Sequence, residues 1–193
     1  MKKFFVTMLL VLLTAPTFAQ FGSGGFKLSE ENLYYGIRFG MTSASFSGDV
    51  DSDSKIGMTL AGVVGFRVSY TAPLFLESGL YYTERGGKAN FEGLKSTASY
   101  NTLEVPLLIK YGIETQSDFV LLPFIGPYIG MAIKKEDDMK RANMGFKVGC
   151  GIEYQQLYLE AGRQFGVTNI YSGDVDDISV HSNAWFLNFG INF

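Results

Sequence analysis

From Trp185 to the end of the chain, Trp185-Phe186-Leu187-Asn188-Phe189-Gly190-Ile191-Asn192-Phe193, every odd position is apolar and the last residue is aromatic. Successive side chains of a strand point to opposite faces, so Trp185, Leu187, Phe189, Ile191 and Phe193 form one apolar face. The opposite face carries Ala184, Phe186, Asn188, Gly190 and Asn192, small or polar apart from Phe186. A long closing strand with a wholly apolar outer face suits the wall of a lipid-embedded barrel. Only helices and closed barrels satisfy every backbone group inside a bilayer.

The other end of the chain agrees. Lys2 and Lys3 precede an apolar run from Phe4 to Leu13, followed by Ala15-Pro16 and the small-residue site Thr17-Phe18-Ala19. That is the layout of a secretory signal peptide. The run is too short to cross a bilayer as a helix, which needs about 20 apolar residues. The expected division is a signal peptide at residues 1–19, a short periplasmic segment at 20–32 and a barrel domain at 33–193.

Composition narrows the class further. With 23 Gly, 15% aromatic and only 18% charged residues, the chain reads as all-β with many turns. A formal net charge of −3 argues against nucleic-acid binding, which depends on clustered Lys and Arg. Cys150 is the only cysteine, which excludes an internal disulfide and a Cys-based metal cluster. Lying in an alternating apolar stretch, it reads as a small packed side chain.

Eight strand-like stretches follow, at about 33–46, 57–70, 74–85, 100–113, 119–133, 144–154, 157–168 and 183–193. Long polar segments at 47–56, 86–99, 134–143 and 169–182 alternate with short ones at 71–73, 114–118 and 155–156. Outer-membrane barrels have an even strand number, short periplasmic turns and longer outer loops. By that rule both termini are periplasmic.

Parity sets the facing of each strand. Leu33, Tyr35, Ile37, Phe39 and Met41 oppose Gly36, Arg38, Gly40 and Thr42. Leu103, Val105, Leu107, Ile109 and Tyr111 oppose Thr102, Glu104, Pro106 and Lys110, while Phe146, Val148, Cys150 and Ile152 oppose Lys147, Gly149, Gly151 and Glu153. Charge therefore points inward. Two strands are less clean, because Val63-Val64 and Leu121-Leu122 place apolar groups on both faces. A soluble lipocalin-like barrel reverses the order, apolar inside and polar outside. Aromatic residues near the strand ends decide for the membrane: Tyr70, Phe75, Tyr111, Phe119, Tyr154, Tyr158 and Phe193 at one end, and Phe46, Tyr82, Tyr100, Phe165, Tyr171 and Trp185 at the other. Such rings collect at membrane–water boundaries.

Asn101-Thr102-Leu103-Glu104-Val105-Pro106-Leu107-Leu108-Ile109-Lys110-Tyr111 resembles the fourth-strand motif of the PorT-like outer-membrane β-barrel family. Phe124-Ile125-Gly126-Pro127-Tyr128-Ile129-Gly130 resembles its following strand, and Gly149-Cys150-Gly151-Ile152-Glu153, Phe165-Gly166-Val167-Thr168-Asn169-Ile170 and the terminal Phe193 fit the same pattern. The resemblance covers most of the mature chain in order and implies the barrel fold. The family is named for a role in protein secretion, but its members are diverse and that role does not transfer with the motifs.

Proline cannot donate to a sheet ladder, and a closed barrel has no edge to hide it on, so Pro106 predicts a bulge or a missing bond. Inward positions hold Arg38, Arg67, Glu77, Arg85, Glu104, Lys110, Lys147, Glu153 and Glu160. An eight-stranded barrel is only wide enough for side chains to fill it, so these charges read as a paired plug, with an open channel as the alternative.

Candidate chemistry is sparse. His181, the only histidine, has Ser179 and Ser182 beside it and Asp174, Asp176 and Asp177 upstream. A general base needs hydrogen-bond reach to its nucleophile and a third group to orient it, which loop neighbours do not establish. His181 reads as a solvated loop histidine. The run Asp49-Val50-Asp51-Ser52-Asp53-Ser54-Lys55 has the alternating oxygens of a calcium loop, but Ser54 stands where the turn glycine belongs and Leu60 where the closing glutamate belongs. It reads as a solvated acidic loop. Lys134, Lys135, Lys140 and Arg141 form a mixed-charge turn whose cations are placed to meet lipid phosphates.

The expected fold is an eight-stranded, antiparallel, up-and-down transmembrane β-barrel in the outer membrane of a Gram-negative bacterium. No catalytic, cofactor-binding or metal-binding residue is assigned. Expected partners are outer-membrane lipid and lipopolysaccharide, the barrel-assembly machinery during biogenesis, and a surface or periplasmic protein. Three functions stay open: a non-enzymatic barrel acting through its loops or body, a narrow solute or ion channel, and a rim enzyme centred on His181.

Overall fold

The computed structural model describes residues 32–48, 53–69, 71–91, 94–115, 119–135, 139–171 and 179–193. The expected signal peptide, most of the segment before the barrel, Asp49 to Ser52 of the acidic loop, Tyr70 and the loop aspartates Asp174, Asp176 and Asp177 lie outside the described residues.

The described chain is built of strands: β1 (Leu33–Gly48), β2 (Asp53–Arg67), β3 (Leu74–Thr83), β4 (Gly86–Phe91), β5 (Leu94–Ser99), β6 (Asn101–Tyr111), β7 (Ile113–Glu114), β8 (Phe119–Lys134), β9 (Ala142–Tyr154), β10 (Leu157–Gly166) and β11 (Val180–Asn192). Eight of them form the wall, in the order β1-β11-β10-β9-β8-β6-β3-β2, and β1 also pairs with β2. Every pairing is antiparallel between sequence neighbours, save that β1 meets β11 to close the ring. No wall strand is left with a free edge, which is what a backbone without water requires.

The register fixes the shape. Residues paired in succession run Leu33, Phe66, Leu76, Ile109, Ile125, Val148, Arg163 and Trp185, and the line returns to β1 at Ser43, ten residues beyond its start. With strands ~4.8 Å apart and a rise of ~3.3 Å per residue, that stagger tilts the strands by about 40°. The same stagger makes the line climb by about 25 Å, the height of the apolar band of an outer-membrane barrel.

Parity holds along the wall. Met41 is 65% exposed and Trp185 61%, whereas Arg38 and Glu104 are fully buried. Val63 faces in and Val64 out, and Leu122 faces in, so the mixed stretches keep their alternation and merely place apolar groups in the lumen. Four aromatic residues expected at the membrane boundaries are instead buried inside: Phe75 and Tyr158 at the short-turn end, and Phe46 and Tyr100 at the other. Tyr171 packs beside Phe46 and Tyr100. Strand-end position alone does not distinguish a belt from a plug; parity does, since Tyr158 shares the face of Glu160.

Residues 86–91 and 94–99, expected as part of a loop, are strands that pair as the hairpin β4–β5. Gly86 pairs with Ser99 in the register that Thr83 keeps with Thr102, so β4 and β5 extend β3 and β6 beyond the band. On the other side, Thr59 meets Thr83 but Ser54 meets Gly87, so β2 carries one extra residue there, a bulge. Gly86 absorbs the change with φ 154°, a conformation that favours glycine.

At Pro106 the ladder is interrupted, not bulged. Pairing of β3 with β6 runs to Ser78–Leu107 and resumes at Tyr81–Glu104, passing over Gly79 and Leu80. The outward Ser78 hydroxyl donates to the Pro106 carbonyl at 2.7 Å and satisfies one group at the gap. The β-bulge of this region falls between Asn101 and Thr102.

Closure ends at Phe193, whose N–H donates to the Tyr35 carbonyl at 2.8 Å while Tyr35 N–H donates to the Phe193 carbonyl at 3.0 Å. At about 0.5–1.5 kcal/mol net for each bond, deleting Phe193 is expected to cost about 1–3 kcal/mol. Urea titration of the folded, heat-modifiable gel band reads this loss, and an unchanged midpoint would refute the closure described.

Candidate functional site

The lumen is the most elaborate part of the molecule. At its short-turn end Tyr34, Phe75, Leu122 and Tyr158 form an apolar floor. Above it Glu77 of β3 receives Lys110 Nζ at 2.8 Å, Arg38 Nη2 at 3.4 Å and the Tyr34 hydroxyl at 2.7 Å. Lys110 also donates to the Tyr158 hydroxyl at 2.8 Å, and Tyr158 donates to Glu160 at 3.0 Å. Asn188 Nδ2 donates to the other Glu160 oxygen at 2.8 Å, and Asn192 donates to Glu153. The Arg38 guanidinium lies 4.0 Å from the centre of the Tyr158 ring.

A second set is centred on Glu104 of β6. Arg85 Nη2 stands 2.5 Å and Lys147 Nζ 3.3 Å from its oxygens. Thr102 donates to Glu104 at 2.6 Å and Gln164 at 2.9 Å. Between the two sets pack Leu108, Phe124 and Phe186, together with Ala61, Val63 and Tyr81. Over the second set Phe46, Tyr100, Ala132, Ile170 and Val180 make an apolar cap, with Met139 and Tyr171 against it. An isolated bridge from Met139 to Tyr171 joins two of the longer connections at this cap.

Such an interior fills the ring and holds its carboxylates in ion pairs. Burying charges is costly unless they are paired and hydrogen-bonded, and here each central carboxylate has two cations and further donors. Of the charges expected inward, Arg67 is the least enclosed: half-buried at the short-turn end, it donates to the Ser69 carbonyl at 3.1 Å. Among the neutral partners, Thr102 and Asn188 stand on inward faces already legible in the sequence, whereas Tyr34, Tyr158 and Gln164 emerge as partners only in the folded ring. Their parity was the available signal, since each shares a face with an inward charge or with the inner face of the closing strand.

The remaining candidates separate. His181 is not in a loop but in β11, opposite Ser47 on the outward side and half-buried. Ser182 faces inward and is buried, so the two side chains stand on opposite faces of one strand. Asp53, Ser54 and Lys55 of the acidic run belong to β2, and Lys55 Nζ donates to Ser99 Oγ at 2.9 Å. Cys150 is exposed on the outward face, not packed. It stands in the apolar wall with Val148 and Ile152.

The outward face holds one feature that parity reveals and composition hides. Arg163 pairs with Trp185 and Val148 and alternates with the inward Gln164, so it sits on the wall's apolar side. Its guanidinium carbon is 4.8 Å from the Phe165 ring centre and 5.2 Å from that of Trp185. An arginine on the lipid face costs about 2–4 kcal/mol at mid-bilayer, falling to about 0–1 near the boundaries.

A closed eight-stranded ring with an apolar band outside and a paired polar filling inside defines an outer-membrane β-barrel. The match to a family model agrees: residues 18–172 fit the outer membrane protein beta-barrel domain. The chain belongs to that family. No curated protein matches it. Among solved structures it is similar to Neisserial surface protein A (17% identity, TM-score 0.49, covering 84% of this chain and 100% of that one). It is also similar to Ail, the attachment invasion locus protein of Yersinia pestis, in complex with sucrose octasulfate (14%, TM-score 0.46, 84% and 100%). A third is the N-terminal β-barrel domain of Pseudomonas aeruginosa OprF (15%, TM-score 0.45, 84% and 98%).

Proposed function

We propose that the protein is a non-enzymatic, non-conducting outer-membrane barrel of the PorT-like kind. In this reading it is exported by a cleaved signal peptide and inserted by the barrel-assembly machinery. Both termini lie in the periplasm, and it acts through the outer connections and the β4–β5 hairpin, or through its body as a structural or secretion-accessory element. One observation carries the proposal: the lumen is filled from Tyr34 and Phe75 at one end to the Ile170 cap at the other, with Glu77 and Glu104 each held by two cations. A pore needs a continuous wet path, and ion pairs packed between apolar layers offer none. His181 and Ser182 on opposite faces weigh against a rim enzyme built on that pair.

Purified barrel in planar bilayers is expected to show no steady conductance. Stable openings would favour the channel reading. Proteins retained on the barrel after mild detergent extraction, and released by deleting the hairpin 86–99, would identify a loop-bound partner.

A further inference from the structure

We propose that Arg163, set between Phe165 and Trp185 on the lipid-facing wall, binds a phosphate of an outer-leaflet glycolipid. The proposal rests on the orientation given above, in which the long connections face outward from the cell.

Height comes first. Arg163 is the sixth of eight steps along the paired line from Leu33 to Ser43, which puts its Cα about 19 Å above Leu33 and about 6 Å below Ser43. Snorkelling carries a guanidinium over such a distance, so the charge reaches the upper boundary while its stem stays in the apolar layer. Among the described residues it is the one cation on the outward face within this band.

Its surroundings leave it a ligand's worth of donors. Two rings hold the guanidinium, but rings supply no oxygen for its five N–H groups. Among the described residues no carboxylate pairs with it. Glu84, at the boundary on the β3 side, is engaged instead by Tyr82 and the Met58 N–H at 3.3 and 3.4 Å.

The boundary also dips in this sector. Above Trp185 the outward positions of β1 and β11 turn polar at Ser43, Ser45 and Asn183, whereas β2 and β8 continue with the exposed Ile56, Met131 and Ile133. Asn183 is fixed there, donating to Ser47 Oγ at 2.7 Å and accepting the Gly166 N–H at 3.2 Å. A headgroup settling into this notch meets Arg163 from above. The guanidinium fork matches a phosphate bidentately, and acyl chains can lie against the flanking rings and the wall below.

The test uses the purified barrel in a maltoside detergent, which carries no phosphate. Bisphosphorylated lipid A, dephosphorylated lipid A, phosphatidylglycerol and inorganic phosphate are titrated separately, with the melting of the heat-modifiable folded band as the readout. Lipid A is expected to raise the midpoint saturably for the native chain, and Arg163→Leu and Arg163→Gln to weaken that response by about tenfold or more. Arg163→Lys is expected to keep part of it. Dephosphorylated lipid A and inorganic phosphate should have little effect. An equal response in Arg163→Leu and Arg163→Gln, or an equal response to dephosphorylated lipid A, would overturn the site. Phosphatidylglycerol acting as well as lipid A would overturn the glycolipid assignment. Without added lipid both neutral variants should fold and melt no lower than the native chain, because each removes a charge from an apolar wall. Protease access to the connections on whole cells reads orientation separately, so a failure of the underlying reading is distinguishable from a failure of the site.

Discussion

Replacing Glu77 by alanine is expected to destabilise the barrel by about 3–5 kcal/mol, the cost of leaving buried charge without its partner. Glu77 is buried, forms an ion pair with Lys110 and accepts hydrogen bonds from Arg38 and Tyr34, groups on β6 and β1. Lys110 keeps a weaker neighbour in Glu160 at 3.8 Å, but among the described residues Arg38 has no other carboxylate within ion-pair distance. A lumen this narrow admits little water to replace the lost oxygens. The measurement is the urea midpoint of the folded gel band after insertion into lipid vesicles. Pairing Glu77→Leu with Arg38→Met removes both charges together and is expected to recover much of the loss, since buried ion pairs are often matched by apolar residues of similar size. Equal destabilisation by the single and double variants would refute the pairing as the cause.

Phe189→Arg is expected to cost about 2–4 kcal/mol in bilayers, because Phe189 lies about 12 Å above Leu33 on the outward face, near the middle of the band. The same substitution at Ser43, at the upper boundary, should cost about 0–1 kcal/mol. Phe189 also stacks on Phe39, with ring centres 5.9 Å apart, so Phe189→Ala supplies the control for lost packing. Paired urea titrations of the two arginine variants in lipid vesicles test the depth dependence. Equal costs at Phe189 and Ser43 would mean that the band is misplaced.

How far the fold was legible follows from which distances are local. Strand facing repeats every two residues, so Arg38 against Ile37 or Glu104 against Val105 was readable from neighbours alone, and the structure keeps both. The interruption at Pro106 was equally readable, because a missing N–H is a property of one residue. The hairpin 86–99 was not. Gly87 and Ser99 look like loop residues, and only continuation of the register of β3 and β6 makes them strand. His181 failed for the same reason: pairing with β1 extends β11 upstream of its apolar repeat. Phe46, Phe75, Tyr100 and Tyr158 stand at strand ends like belt residues, but their parity turns them into the lumen.

An all-β wall of eight strands, its apolar outside, its charged inside and the closing role of the last strand are legible in the linear chain. Each follows from alternation, gap length or a single side chain. Which charges meet is set by the closed ring. Glu77 reaches Arg38 and Lys110, and Glu104 reaches Lys147 and Arg85, through a ten-residue stagger that sums small offsets over every pairing in the ring. The same stagger lifts Arg163 toward the upper boundary beside Trp185. Facing is local and repeats along one strand, whereas register depends on where the ring closes, and closure depends on all eight strands at once.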